Sequence, residues 1–310
     1  MRAVRCAPPG VQVVEVDEPE GNGELIKVSA VSICASDFLY IQYGSQQIIG
    51  HEIAGVLEDG TAVAVEGIFG CGNCEWCEGG NYNLCRLCSL EALGMTVDGG
   101  MSEYFRAPRR ALVPLPPGLH PSDASLVEPG SVAWHACHIG GVGPGTRVAV
   151  VGGGAIGILA VLAARAQGAA EVALVARHPH QKQLGERFGA IEPTGSYDVV
   201  IEAAGSESGL HKSVELARPR GTVAFVGVFH PGVAWPHRQA FMKEVVIAPA
   251  LGYCGHNGRR EFAEVADMLA ARPEIGQALI THRFGIDEAA HAFEVARDRS
   301  KGTFRVVVHP

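Results

Sequence analysis

Four cysteines within a short span constrain this chain more than any other feature. Cys71-Gly-Asn-Cys74-Glu-Trp-Cys77 is followed by Cys85, which gives the spacing C-x2-C-x2-C-x7-C. Thiolates so spaced can close a tetrahedron round one Zn2+ at about 2.3 Å, and four protein ligands leave no position for water or substrate. The run therefore predicts a lobe folded round a structural zinc held by Cys71, Cys74, Cys77 and Cys85. Disulfides and unconnected thiols are the competing readings. The chain has nine cysteines, an odd number, and Met1 to Cys6 enters strand-like sequence without an apolar signal core. Both points favour a cytoplasmic chain with reduced thiols. Cys88 reads as an ordinary thiol.

A length of 310 residues allows two domains, each with its own core, and 47% hydrophobic with 19% charged residues is globular composition. Twenty-five Lys and Arg against 33 Asp and Glu leave a formal charge of -8. That balance opposes attraction to phosphate backbones, so no nucleic acid is expected as a partner and a nucleic-acid-binding zinc ribbon is disfavoured. The longest apolar stretch, Ile156 to Ala164, is too short to span a bilayer, and no membrane association is expected.

The first 120 residues read as strands and turns, with alternation in Val11 to Val16, a second run in Leu25 to Val31, and frequent Gly and Pro. From Arg147 the pattern changes to apolar strand runs at Val148 to Val151, Val172 to Ala176, Val199 to Ala203, Val223 to Val228 and Val245 to Ala248. Helical segments separate most of them, as in a buried parallel sheet. Two amphipathic helices, about 259–271 and 287–297, precede a last strand at Phe304 to Val308 that is expected to return to the first domain. The expected fold class is α/β, with a β-rich domain at 1–130 and 256–310 and a doubly wound parallel sheet at 131–255. Only Ile191 to Tyr197 separates the helix ending at Gly189 from the strand at Asp198. A parallel crossover needs about a dozen residues, so a strand and helix are expected to be missing or reduced there.

Val150-Val151-Gly152-Gly153-Gly154-Ala155-Ile156-Gly157 places G-x-G-x-x-G between a strand and a helix. Gly152 permits the tight turn, Gly154 lets a pyrophosphate approach the backbone, and Gly157 lets helix and strand pack closely, with Ala155 and Ile156 at the helix start. An NAD site usually carries Asp or Glu about 20 residues further on, for the ribose 2'-hydroxyl. Here the second strand ends in Ala176-Arg177-His178. Ala176 offers no carboxylate to repel a 2'-phosphate and Arg177 and His178 offer donors, so NADP is expected over NAD.

Ile33-Cys34-Ala35-Ser36-Asp37 and Gly50-His51-Glu52 lie upstream of the cysteine run. Together with that run and the glycine motif they resemble the zinc-dependent medium-chain dehydrogenase/reductase family, the alcohol, polyol and threonine dehydrogenases, along essentially the whole chain. The resemblance implies a GroES-like catalytic domain beside a Rossmann-type domain, with catalytic and structural zinc and NADP or NAD. It makes Cys34 and His51 ligands of the catalytic zinc and Ser36 the proton-relay hydroxyl. Asp37 becomes a supporting residue, Glu52 a neighbour that coordinates in some members, and Glu128 the third ligand. It also implies cofactor contacts from Ala204, Gly205, Val226, Gly227, Val228 and Arg305.

Three protein ligands leave one zinc position open to polarise an alcohol or carbonyl oxygen. The reading is hydride transfer between NADP and an alcohol or polyol, or the corresponding ketone or aldehyde, by a homodimer or homotetramer. A zinc-independent enone or quinone reductase, or a non-catalytic nucleotide-binding scaffold or sensor, are the alternatives. The family's relay histidine falls on Leu39, Gly55 to Glu66 is short, and Phe38, Tyr40, Trp134 and Phe229 are candidate pocket walls.

Overall fold

Apolar runs in the first third of the chain pair as antiparallel strands, and consecutive buried residues such as Glu52 to Gly55 and Val63 to Val65 show that the centre of this sheet is covered on both faces. The computed structural model spans residues 1–310 and describes every side chain but those of Ser89 and Arg299. Two compact units result: Met1–Glu128 with Cys254–Pro310, and Pro129–Tyr253.

In the first unit the strand path runs Ile280–Gly285, Arg305–His309, Glu24–Ser32, Glu52–Leu57, Ala62–Val65 and Leu112–Pro114, and Tyr104–Ala107 also pairs with Glu24–Ser32. The C-terminal strand thus returns to the N-terminal sheet, with Val307 opposite Ser32. Ile26, Val31, Ile53, Val65 and Val308 form the core together with Phe293. The helix Ala289–Arg297 buries Ala289, Ala292, Phe293 and Ala296, the i, i+3, i+4, i+7 stripe of an amphipathic helix. It and Glu261–Ala271 begin two residues later than the sequence pattern places them.

The second unit is a five-stranded parallel sheet in the spatial order Val246–Pro249, Ala217–Phe225, Tyr197–Glu202, Arg147–Val151, Glu171–Val175. The strand expected at Val223 to Val228 starts earlier and stops at Phe225, which leaves Val226 to Val228 as a loop beyond the sheet. Chain order reverses at Arg147–Val151, where ligands enter doubly wound sheets. The missing strand survives as a single residue. Ile191 makes one parallel bridge to Ala173, accepting from the Leu174 N–H and donating to Val172 O, each at 3.0 Å. Pro193 and Gly195 then turn the chain back to Tyr197 with no helix between. Among the described residues no helix is long and apolar enough to cross a membrane.

Candidate active site

Sheet register brings the upstream motif residues together. Ser32 lies opposite both Glu52 and Val307, so the end of one strand, the start of a second and the start of a third meet at one place. Cys34 follows the first strand and caps the helix Ala35–Gln42, and its backbone N–H donates to Asp37 Oδ2 at 2.8 Å. His51 immediately precedes Glu52, and its Nδ1 stands 3.5 Å from Asp37 Oδ1 while Nε2 stands 3.3 Å from the Ser36 hydroxyl. One ligand atom from each of Cys34, His51 and Glu52 lies within 4.8 Å of the others.

Glu128 arrives from a different direction. It occupies the first turn of the helix Val127–Gly140, which the strand pattern of the sequence did not reveal. Pro129 suits a first turn because the N–H it lacks would have no helical partner there. Glu128 is buried. It stands outside the 4.8 Å group but near enough for the charges of His51, Cys34, Arg305 and Asp37 to act on it.

Arg305 pairs within its own unit. It begins the last strand, is 5% exposed, and its Nη1 donates to Glu52 Oε1 at 2.7 Å, to Glu52 Oε2 at 2.9 Å and to Ile33 O at 3.2 Å. Its first partner is therefore the Glu52 carboxylate inside the catalytic unit. Nothing in the sequence around Phe304-Arg305-Val306 announces this pair, because the partners are brought together only by strand pairing.

The charge balance of this cluster fits a divalent cation. Asp37, Glu52 and Glu128 and the Cys34 thiol surround one buried arginine and one histidine. Burial pushes Glu52 up to about 7 despite Arg305, and pushes Glu128 up to about 7 despite His51. Burial works against the His51 imidazolium, yet Asp37 and Cys34 outweigh it and hold the ring well above its ordinary value. Asp37 Oδ1 and His51 Nδ1 are buried without hydrogen-bond partners. A soft thiol, an imidazole and a carboxylate form a donor set suited to zinc.

The lobe is the second such cluster. Ligand atoms of Cys71, Cys74, Cys77 and Cys85 lie within 4.8 Å of one another, and Cys88 stands apart with its thiol on Tyr82 O at 2.9 Å. None of the nine cysteines forms a disulfide. A buried anchor beneath the lobe escaped the sequence reading. Glu66, which follows the strand Ala62–Val65, accepts from the Tyr82 hydroxyl at 2.7 Å and from Arg260 Nε at 3.0 Å. An acidic residue ending an apolar strand was the only signal.

In the second unit Gly152 has φ +121°, and a Cβ on Gly157 would lie 1.7 Å from Gly152 O, so neither position admits a side chain. A Cβ on Gly154 would meet nothing within 4 Å, which leaves open space where a phosphate would approach the start of the helix Ala155–Ala166. Ala176, Arg177 and His178 follow the second strand. Arg177 is exposed and, among the described residues, has no ion-pair partner. Ala204, Gly205, Val226, Gly227 and Val228 lie in loops beyond the two neighbouring strands.

Of the candidate pocket walls, Tyr40 comes to the site, its ring centroid 6.1 Å from that of His51. Phe38 instead packs on Phe293 at 5.7 Å. In the second unit Trp134 O accepts from Gln167 Nε2, and Phe229 lies tilted against Phe225 with ring centroids 5.6 Å apart.

The model for the alcohol dehydrogenase GroES-like domain matches residues 21–117, and that for the zinc-binding dehydrogenase matches residues 155–271. The chain belongs to the zinc-dependent medium-chain dehydrogenase/reductase family. Among its relatives, the Escherichia coli L-galactonate-5-dehydrogenase is 29% identical over 313 residues, covering 90% of this chain and 89% of the relative. Human sorbitol dehydrogenase is 29% identical over 316 residues, covering 90% and 87%. A zinc-binding dehydrogenase of Sinorhizobium meliloti, solved bound to NADP, superposes with a TM-score of 0.84 at 29% identity and covers 100% of this chain and 99% of that one. This dehydrogenase is accordingly an enzyme, a zinc-dependent oxidoreductase that uses NAD or NADP.

Proposed function

We propose that this dehydrogenase transfers hydride between a polyol or other secondary alcohol and NADP, with Cys34, His51 and Glu128 holding the catalytic zinc. The convergence of Cys34, His51, Glu52 and Ser36 in one cluster, with Glu128 as a buried carboxylate near His51 and Cys34, carries this reading. Glu52 is already engaged twice by Arg305, which favours Glu128 as the third ligand. Bound zinc would supply a Lewis acid that polarises the substrate oxygen. The residues round it do the remaining work. Asp37 orients His51, the Ser36 hydroxyl is placed to take the alcohol proton and pass it outward, and Arg305 neutralises Glu52 so that the carboxylates do not repel one another. Oxidation removes hydride from the carbinol carbon to C4 of the nicotinamide and the hydroxyl proton through Ser36. Reduction reverses both.

Polyols are favoured because relatives at similar identity are named for sorbitol and L-galactonate. NADP is favoured by the unpaired Arg177 and by Ala176, which puts no carboxylate against a 2'-phosphate. Cys71, Cys74, Cys77 and Cys85 hold a structural zinc. An oligomer is favoured by the unpaired edge strand Val246–Pro249, beside which Phe241 is 80% and Met242 74% exposed. Reduced thiols throughout support a cytoplasmic setting.

Metal analysis with a substrate screen tests the reading. Two zinc per chain and faster NADP-linked oxidation of sorbitol or L-galactonate than of short secondary alcohols is the expected result. Faster turnover of short alcohols removes the polyol assignment. Tighter binding of NADH than NADPH removes the NADP assignment, and enone reduction without zinc would favour the reductase alternative.

A further inference from the structure

Glu202 ends the strand Tyr197–Glu202 beside the point where chain order reverses, and its side chain is completely buried. Both of its acceptor groups hold loops. The carboxylate accepts from the N–H groups of Ala204 and Gly205 at 3.0 Å each, with a second Gly205 contact at 3.3 Å. The backbone carbonyl accepts from Val226 N–H at 3.0 Å and from Gly227 N–H at 3.4 Å. These two loops follow adjacent strands.

Glycines close the space around the carboxylate. A Cβ on Gly209 would lie 2.6 Å from Glu202 Oε1, and one on Gly227 would lie 2.4 Å from Oε2 and 2.5 Å from Gly205 Cα. The loops therefore touch through backbone, with the carboxylate wedged between them. Among the described residues no cation pairs with Glu202. Charged groups on the elements packed against it are engaged elsewhere. On the following helix Glu207 accepts from Ala234 N–H, His211 meets Ala234 O, and Lys212 pairs with Glu215. Lys243 donates to the carbonyls of Val214, Glu215 and Ala217. At the far end of the sheet Arg147 pairs with Glu171 and Arg218 with Asp198.

A neutral side chain could fill this space without the cost of burying a charge. What a carboxylate adds is acceptor capacity for successive amides of one loop. Burial pushes Glu202 up to about 7, against the pull of the Ala204, Gly205 and Ser206 amides. Oε1 takes both 3.0 Å bonds and Oε2 the 3.3 Å contact with Gly205 N–H, so protonation of Oε2 sets a donor against that amide.

We infer that Glu202 is a positioning residue for the dinucleotide: its carboxylate fixes the 203–206 loop against the 226–228 loop, which its backbone carbonyl holds, in the shape that receives the cofactor, and its protonated form loosens the 203–206 loop. The inference rests on the assignment of an NAD(P) site to this unit.

Titration of NADH and NADPH fluorescence on the zinc-loaded, full-length enzyme tests it, with NADH included because it has no 2'-phosphate to titrate. For both cofactors the wild-type Kd should tighten about 10-fold between about pH 6 and about pH 8, as one titrating group would give. Glu202→Gln should bind both about 10-fold more weakly at the upper pH, with no pH dependence, and Glu202→Asp should restore part of it. Wild-type affinity and pH dependence in Glu202→Gln overturn the inference. A wild-type enzyme that binds neither cofactor overturns the NAD(P) assignment and the inference with it. If Glu202→Gln does not fold, hydrogen exchange on the wild type decides. After correction for intrinsic rates, protection of the Ala204 and Gly205 amides should fall as pH drops through about 7, with the helix Ala155–Ala166 unchanged. Constant protection at Ala204 and Gly205 overturns the proposal.

Discussion

The lobe cysteines and the cluster round Cys34 lie in one structural unit but are assembled in different ways. Cys71, Cys74, Cys77 and Cys85 come from one short stretch of turns and single helical turns, so local chain geometry alone brings their sulfurs within 4.8 Å. Cys34, His51, Glu52, Glu128 and Arg305 come from the ends of three strands and two helices and meet only because Ser32 pairs opposite Glu52 and Val307. Slipping one of those strands by a single residue would turn its ligand to the other face of the sheet. The lobe site can therefore form wherever its segment does, whereas the cluster round Cys34 reports that the whole sheet is in register.

Cys34→Ala should cut turnover by on the order of 10^3-fold, the loss expected when several kcal/mol of metal-derived stabilisation disappear. NADPH affinity should stay within about 2-fold, because the cofactor loops belong to the other unit. Retained turnover in steady-state assays rejects the assignment of the catalytic cluster. Cys74→Ser should have the opposite signature, with one zinc lost per chain and a stability loss above about 4 kcal/mol by urea unfolding. Its rate per remaining zinc should hold, and a drop of the kind expected for Cys34→Ala would erase the distinction between the two sites.

Glu52→Gln sharpens the comparison by breaking a buried ion pair without removing a lobe ligand. It leaves Arg305 buried without its carboxylate and should cost about 3–5 kcal/mol in the same unfolding assay. A neutral result means that the register of the C-terminal strand does not depend on this pair.

Glu202 carries the contrast into the nucleotide unit. Its folded-state pKa of about 7 lies above the ordinary carboxylate value, so the folded chain binds the extra proton in the interval between them. Stability from this group is present below about pH 4.5 and is lost as pH rises toward about 7, a change on the order of 3 kcal/mol. Unfolding of zinc-loaded wild type and Glu202→Gln across that interval should show the wild type losing its advantage as pH rises. Parallel curves show that the carboxyl is not titrating there. Arg177→Ala has the smallest expected effect, a rise of about 10-fold in KM for NADPH with KM for NADH unchanged, since it removes one charge-assisted contact from an exposed site. Equal changes for both cofactors show that Arg177 does not distinguish them.

Much of this molecule is readable as pattern because its causes are local. The lobe follows from cysteine spacing, the phosphate turn from Gly152, Gly154 and Gly157, and the amphipathic C-terminal helices from apolar periodicity. The short gap before Tyr197 likewise announces the reduced third strand, which the fold keeps as the single bridge at Ile191. Two misreadings have equally local reasons. Val226 and Val228 extend an apolar run after the sheet has ended at Phe225, and Glu128 with Pro129 starts a helix that strand-like periodicity does not mark.

By itself the sequence determined two domains, two groups of residues that could hold a metal ion and a glycine turn suited to a dinucleotide, since each depends on residue types at short range. Only the tertiary structure decided that Arg305 serves Glu52, that Glu66 anchors the lobe through Tyr82 and Arg260, and that Glu202 ties two loops together. Those contacts join residues far apart in the chain or set by the packing of adjacent strand ends. Their existence depends on register and burial, which no short window of residues encodes.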